Sequence, residues 1–303
     1  MIEVLRAGLC DLVMDQGRPG WGALGVPAGG AADPAALAAA NRLVGNARDA
    51  AGLEITLSGP VLRFPLGGVA ALTGARFVAT RSSGAAVGWN ETLLLAAGET
   101  LTLAQVESGC RCWLAVRGGL AVPPVMGSRS TFLPASFGGF QGRALQAGDV
   151  LPTGEAGDEG WLLRAQPPSG ETQDYLRVVV GPQAGQFDDA GLAAFFSGSY
   201  RVAAASDRRG LRLTGLAVTH CRAELPSQGV LPGAIQVPPD GQPIILGWDG
   251  PVTGGYPVIA GVIAADWPRL AQLSPGDVVR FATIETEFAR ARAATQWTLE
   301  ELA

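Results

Sequence analysis

One arginine stands in a row of hydroxyls at Ser128-Arg129-Ser130-Thr131, inside the Gly-rich polar stretch 116–143. A guanidinium beside hydroxyls and flexible backbone suits a carboxylate or a phosphate, because its planar fork donates two parallel hydrogen bonds; it suits a surface acid equally well. A second concentration of polar groups lies in Leu231–Ile263, where two apolar strand-like runs are split by a loop of Gly, Pro, Thr and Asp. There Gln236, Asp249, Thr253 and Tyr256 are groups that strand and loop backbone would hold in fixed positions. The turns Pro239-Asp240-Gly241 and Asp249-Gly250-Pro251 also explain that stretch as a well-made hairpin with no chemistry at all. A third concentration, Asp207 and Arg208 in a charged turn before a strand, echoes the acid and arginine of DQGRPGWGALG near the N-terminus. That earlier loop, 15–33, carries Asp15, Arg18 and Asp33.

Composition excludes several chemistries. The 22 basic residues are all arginine, so no lysine amine is present for a Schiff base, a phosphate-loop lysine or a biotin attachment. A net charge of −5 argues against a nucleic-acid surface, which needs a basic stripe. Four cysteines and one histidine, with no CxxC pair, do not make a zinc site, and no metal is expected. Cys110 and Cys112 would share one face of a strand and read as buried free thiols; His220 reads as structural, because no nucleophile elbow accompanies it. No apolar run is long enough to span a membrane, and Glu3, Arg6 and Asp11 interrupt the first residues, so the expected location is the cytoplasm.

The elements that must position the polar residues are mostly strands. Ile2–Met14 alternates as a first strand, and DPAALAAANRLVGN is the clearest helix, 33–45, with Asp33 as N-cap, Pro34 at the first position and Gly45 at the end. Leu37, Ala40, Leu43 and Val44 form its buried stripe, and Asn41 beside them either tethers the neighbouring loop or meets a ligand. Seven short strands are expected next, at 53–57, 61–64, 69–73, 77–81, 92–95, 100–103 and 112–116, the pattern of a barrel or sandwich. Gly-acid turns recur at 96–103, 145–152 and 273–281, each entering a strand. The polar stretch 155–174 divides the chain into domains 1–165 and 166–303, the second with a strand at 175–180 and helices at 188–196, 266–273 and 284–295.

The segments GRPGWGALGVP, AANRLVGN, LEITLSGP, LAVRGGL, GSRST, GPQ, SDRRGLRL, PGAIQVPPDGQPI, TGGYP and SPGDVVRF occur in this order. Together they resemble the family called allophanate hydrolase subunit 2, or biotin-dependent carboxyltransferase domain, which includes the C subunit of the ATP-dependent 5-oxoprolinase and a sporulation protein that antagonises a kinase inhibitor. The resemblance runs from about Gly17 to Phe281. It implies a mainly β chain of two cyclophilin-like β-barrel domains with a few short helices. It also implies a partner like allophanate hydrolase subunit 1 or the 5-oxoprolinase B subunit, and a further partner, the 5-oxoprolinase A subunit. The implied activity is cleavage of 5-oxo-L-proline to L-glutamate, with ATP bound by the complex and no biotin on this chain. Alternatives are carboxyl transfer to urea or a related amide, and a non-catalytic regulator binding a partner of the same family. Such amide chemistry needs oxyanion donors and a fixed cation, roles assigned to Arg129, Asp207, Arg208 and Gln236. Arg18, Asp33, Ser128, Thr253 and Tyr256 are the expected substrate contacts, and these loops are expected to line one cleft. Ala23 and Gly29 stand where members often have His and Ser, and Gln228 where an acid is common.

Overall fold

The alternating run at the N-terminus is one segment in sequence and two strands in space. In the computed structural model, which describes residues 1–155, 162–167, 174–220, 225–291 and 297–301, β1 (Ile2–Arg6) and β2 (Cys10–Met14) are separated by a turn through Gly8. The chain divides into two compact units. The first comprises Met1–Arg18, Gly29–Ser169 and Gln296–Ala303; the second comprises Pro19–Ala28 and Gly170–Thr295.

In the first unit α1 (Pro34–Leu43) is followed by β3 (Gly52–Thr56), β4 (Val61–Phe64), β5 (Gly68–Arg81), β6 (Thr92–Leu95), β7 (Glu99–Val116), β8 (Val150–Leu151) and β9 (Leu163–Gln166). Five strands therefore stand where seven were expected between residues 53 and 116. The segments 69–73 and 77–81 are one strand, as are 100–103 and 112–116. The breaks that look like turns are β-bulges: the β5–β7 register shifts three times between Gly74 and Ala79. A bulge inserts an unpaired residue and bends the strand without ending it. The sheet runs β2-β3-β7-β4-β1-β8, with β5 and β6 added through β7, and forms a half-barrel. Val13, Leu53, Ile55, Leu72, Cys112 and Leu114 are among the apolar residues on its core face.

Helix α1 covers part of the opposite face, where Ala40, Leu43 and Val44 meet Ala71 and Ala115. Asp33 caps it by accepting from the N–H groups of Ala35 and Ala36, both at 3.0 Å. Asn41, fully buried, donates to Ala50 O at 2.7 Å and accepts from Asn46 Nδ2 at 3.1 Å, so it tethers the loop that follows the helix. Asn41→Ala would strand those groups. The expected loss is about 1–3 kcal/mol, read as a lower urea midpoint at unchanged slope.

The second unit contains β10 (Leu176–Val180), α2 (Asp189–Ser197), β11 (Tyr200–Val202), β12 (Gly210–Thr214), β13 (Gln228–Gly229), β14 (Ala234–Gln236), β15 (Ile244–Leu246), β16 (Thr253–Gly254), β17 (Val258–Val262), α3 (Trp267–Ala271), β18 (Val278–Val279), β19 (Phe281–Thr283) and α4 (Thr286–Ala291). β20 (Thr298–Glu301) returns to the first unit and pairs with β9. The main sheet runs β18-β11-β12-β15-β14-β17-β10-β19. Its two end strands are consecutive in sequence, joined at Arg280, which brings the edges of the sheet together into a nearly closed barrel. Phe195 of α2 stacks on Phe281 with centroids 4.5 Å apart and docks the helix.

The expected helix at 266–273 is shorter, a 3-10 turn Ala264–Asp266 running into α3, and that at 284–295 is seen as Thr286–Ala291, with 292–295 outside the described residues. Cys221 also lies outside them. The three Gly-acid turns share one device. Glu99, Asp149 and Asp277 each accept from the backbone N–H three residues earlier, at 2.7, 2.8 and 2.7 Å, while Gly98, Gly148 and Gly276 supply positive φ. His220 Nε2 lies 3.2 Å from Pro238 O, and its ring is edge-on to Phe187.

Candidate functional site

The loop bearing Arg129 is held from beneath by a residue far away in sequence. The buried carboxylate of Asp15 accepts from the hydroxyls of Ser128 and Ser130, each at 2.6 Å, from Gly17 N–H at 2.8 Å and from Arg129 N–H. Ser130 Oγ accepts in turn from Asp15 N–H at 2.9 Å, and Ser128 Oγ from Ser130 N–H at 2.9 Å. The two serine hydroxyls are therefore spent inward on one acid, that of Thr131 donates to Val13 O at 3.0 Å, and the side chain between the serines faces outward. Arg129 is exposed, its Nε donating to Val122 O at 2.8 Å. Among the described residues nothing accepts from its two terminal nitrogens. The result is a guanidinium pinned at its elbow with the outer fork presented, the geometry that receives a carboxylate or phosphate oxygen pair.

The other candidates of the first unit are buried. Arg18 is 1% exposed, lies over the Phe137 ring at 4.9 Å, and donates to Ser130 O and to Val125 O, so it braces the same loop. Asp33 is committed to capping α1. Burial chiefly, with the nearby charge of Glu54 adding, pushes its carboxyl up to about 6 against the two N–H donors. Glu54 is fully buried and accepts from Ala32 N–H at 2.7 Å and Trp113 Nε1 at 3.1 Å, with Arg111 Nε 3.7 Å away.

In the second unit Arg208 and Asp249 form a buried ion pair, Nε to Oδ2 at 2.7 Å and Nη2 to Oδ1 at 3.1 Å. Asp207, adjacent in sequence, is exposed and closes the turn by accepting from Arg209 and Gly210 N–H at 2.8 and 3.3 Å. Arg208 is thus a cation already matched by an acid. Arg208→Ala is expected to cost about 3–5 kcal/mol, because it leaves Asp249 buried without its partner. Equilibrium unfolding checks this. Gln236 is buried and donates to Tyr256 O at 3.3 Å, while Tyr256 is half-buried and Thr253 exposed on β16. Four of the nine expected site residues, Arg18, Asp33, Ser128 and Arg129, belong to the first unit and five to the second.

Asp15, which holds the Arg129 loop, is passed over by sequence inspection, which places it only as a loop acid. Its partners are 113 and 115 residues distant, and nothing local marks the pairing. Among the described residues no group of three or more His, Cys, Asp or Glu is placed to hold a metal ion, and no helix is long and apolar enough to cross a membrane.

Comparison with known proteins gives consistent matches. The family model described as carboxyltransferase domain, subdomain A and B, matches residues 24–283. The sequence is 41% identical to the 5-oxoprolinase C subunit of Escherichia coli, over 100% of this chain and 98% of that protein. Urea amidolyase of Saccharomyces cerevisiae is 32% identical over 97% of this chain, which spans 17% of that larger protein. The crystal structure of the K. lactis urea amidolyase has a TM-score of 0.86 and 32% identity, covering 95% of this chain and 19% of that one.

Proposed function

Because the chain belongs to the carboxyltransferase domain family, subdomain A and B, we propose that it is the C subunit of an ATP-dependent 5-oxoprolinase, opening 5-oxo-L-proline to L-glutamate with partners of the A and B types. The supporting observation is the end-to-end match: 41% identity that takes in 98% of the E. coli protein, against 17% of the S. cerevisiae urea amidolyase. In this reading ATP is bound by the complex. Lactam opening places negative charge on the carbonyl oxygen as water adds, and the substrate carries a carboxylate throughout. The presented fork of Arg129 suits that carboxylate.

A second reading is carboxyl transfer to urea or a related amide, with biotin carried on another chain since this sequence has no lysine. The fold likeness to K. lactis urea amidolyase favours it. Co-expression with A-type and B-type subunits separates the possibilities. Glutamate release from 5-oxo-L-proline and ATP that depends on this chain is the expected result. Activity unchanged on omitting the chain overturns the proposal; transfer of labelled bicarbonate to urea with a biotin carrier selects the second reading; a tight partner with neither activity marks a regulator.

A further inference from the structure

A line of hydrogen bonds in the second unit begins at the sheet and ends on a donor that nothing among the described residues receives. The N–H of Val258, the first residue of β17, donates to Gln183 Oε1 at 3.1 Å. That contact fixes which way the Gln183 amide faces, because the flipped amide would set NH2 against N–H. Gln183 Nε2 then donates to Gln228 Oε1 at 3.1 Å, which fixes Gln228 in turn and directs its NH2 away from Gln183. Gln228 Nε2 is shielded from solvent and meets no acceptor among the described residues. Gln228 on β13 is paired with Gly254 on β16, and a Cβ on Gly254 would lie 2.6 Å from Gln236 Nε2. The absent side chain at Gly254 therefore lets a second carboxamide approach the same strand pair.

Buried polar groups in native proteins nearly always have a partner, and an orphan whose orientation is dictated by its neighbours points to one that arrives from outside. We infer that Gln228 Nε2 is the donor of a subsite for the neutral carbonyl oxygen of an amide, lactam or urea group. The relay consists of a backbone amide and two carboxamides, uncharged throughout. A neutral carbonyl is satisfied by such a donor, whereas a carboxylate brought there would be desolvated without a counter-charge. The inference rests on the reading of this chain as part of an enzyme acting on an amide, and assigns to this chain, at a position where members of the family commonly have an acid, a recognition residue of its own.

Gln228→Glu tests it, since the carboxylate keeps an oxygen for Gln183 Nε2 and deletes the orphan donor. Calorimetric titration of the complex with its partner proteins, using 5-oxo-L-proline, urea and acetate as separate probes, reads binding without turnover. Wild type is expected to bind at least one of the two amides and to bind acetate more weakly. Gln228→Glu should weaken amide binding about tenfold or more, the scale of one lost hydrogen bond to a buried partner. Gln183→Glu, which keeps the Val258 contact but releases Gln228 to turn, should weaken it in the same direction. Unchanged amide affinity in a folded Gln228→Glu complex overturns the subsite, as does a wild-type complex that binds neither amide. Glutamate release with unchanged affinity in Gln228→Glu leaves the function standing and removes the subsite. Donor-dependent binding of urea without glutamate release does the reverse.

Discussion

Asp15→Ala is expected to remove stability and activity together, and Arg129→Ala to remove activity alone. Asp15 is buried, and its carboxylate gathers two hydroxyls and two backbone N–H groups. Truncation leaves all four donors unmatched, a loss of roughly 3–5 kcal/mol at about a kilocalorie or more per stranded group. The serine row then has no fixed geometry, so Arg129 loses its placement even though it is still present. Arg129 itself is exposed, and its side chain ties to the fold through Nε and Val122 O. Its removal should cost under about 1 kcal/mol in unfolding and lower glutamate release by the assembled enzyme at subsaturating substrate roughly ten- to a hundredfold, the scale of one lost hydrogen bond to a charged group. Arg129→Lys separates charge from geometry: a point charge cannot supply the bidentate fork, so partial rescue at most is expected. Full activity in Arg129→Ala would take the residue out of the site.

The fold is legible where local chemistry decides it. Asp33, Pro34 and Gly45 bracket α1 through capping, a fixed φ and a left-handed φ, all properties of single residues. The three Gly-acid turns are legible for the same reason, each being closed within four residues. β5 and β7 are misdivided in sequence because a bulge and a turn present the same signal in one dimension, a glycine or polar break between apolar runs; only the partner strand's register tells them apart. The site is less legible than the fold. Arg129 stands out by type and neighbours, yet the significance of Ser128 and Ser130 lies in Asp15, whose proximity is created by the chain path. Arg208 draws attention as a cation, and Asp249, 41 residues on, neutralises it. Gln228 is visible in sequence only as a departure from its relatives, while its orphaned nitrogen depends on Gln183 and Val258, which no spacing rule connects.

Stability should fall as pH rises from about 4 to 7, and Asp11 is the main reason. Asp11 faces the core of the first unit, since it pairs with Ile55, which pairs with Cys112, and both of these are core residues. It is 1% exposed; Gly8 N–H donates to Oδ2 at 2.5 Å, and Oδ1 has no partner among the described residues. Burial outweighs the Gly8 contact and pushes the carboxyl up to about 7 from an ordinary value of 3.8. The Cys112 thiol beside it is pushed up too, by burial first and then by the charges of Asp11 and Glu54, so it stays neutral through this range and does not offset the effect. Between the two Asp11 values the unfolded chain has released a proton that the folded chain keeps. The unfolded state therefore binds fewer protons, and unfolding becomes easier with each step of pH until the folded carboxyl ionises as well. About three units of difference set a ceiling of roughly 4 kcal/mol lost by pH 7, with Asp33, raised to about 6, adding in the same direction over a narrower window. Glu99 works oppositely. The Arg81 guanidinium and the Ser83 hydroxyl hold it down to about 2, so its contribution is lost only as pH drops below the ordinary glutamate range. Urea midpoints measured from pH 4 to 8 should decline and then level off. Asp11→Asn keeps an oxygen for Gly8 N–H without a charge to bury, and should flatten most of that decline, leaving the smaller Asp33 slope. An Asp11→Asn curve parallel to wild type would mean that the carboxyl ionises at its ordinary pH inside the folded core.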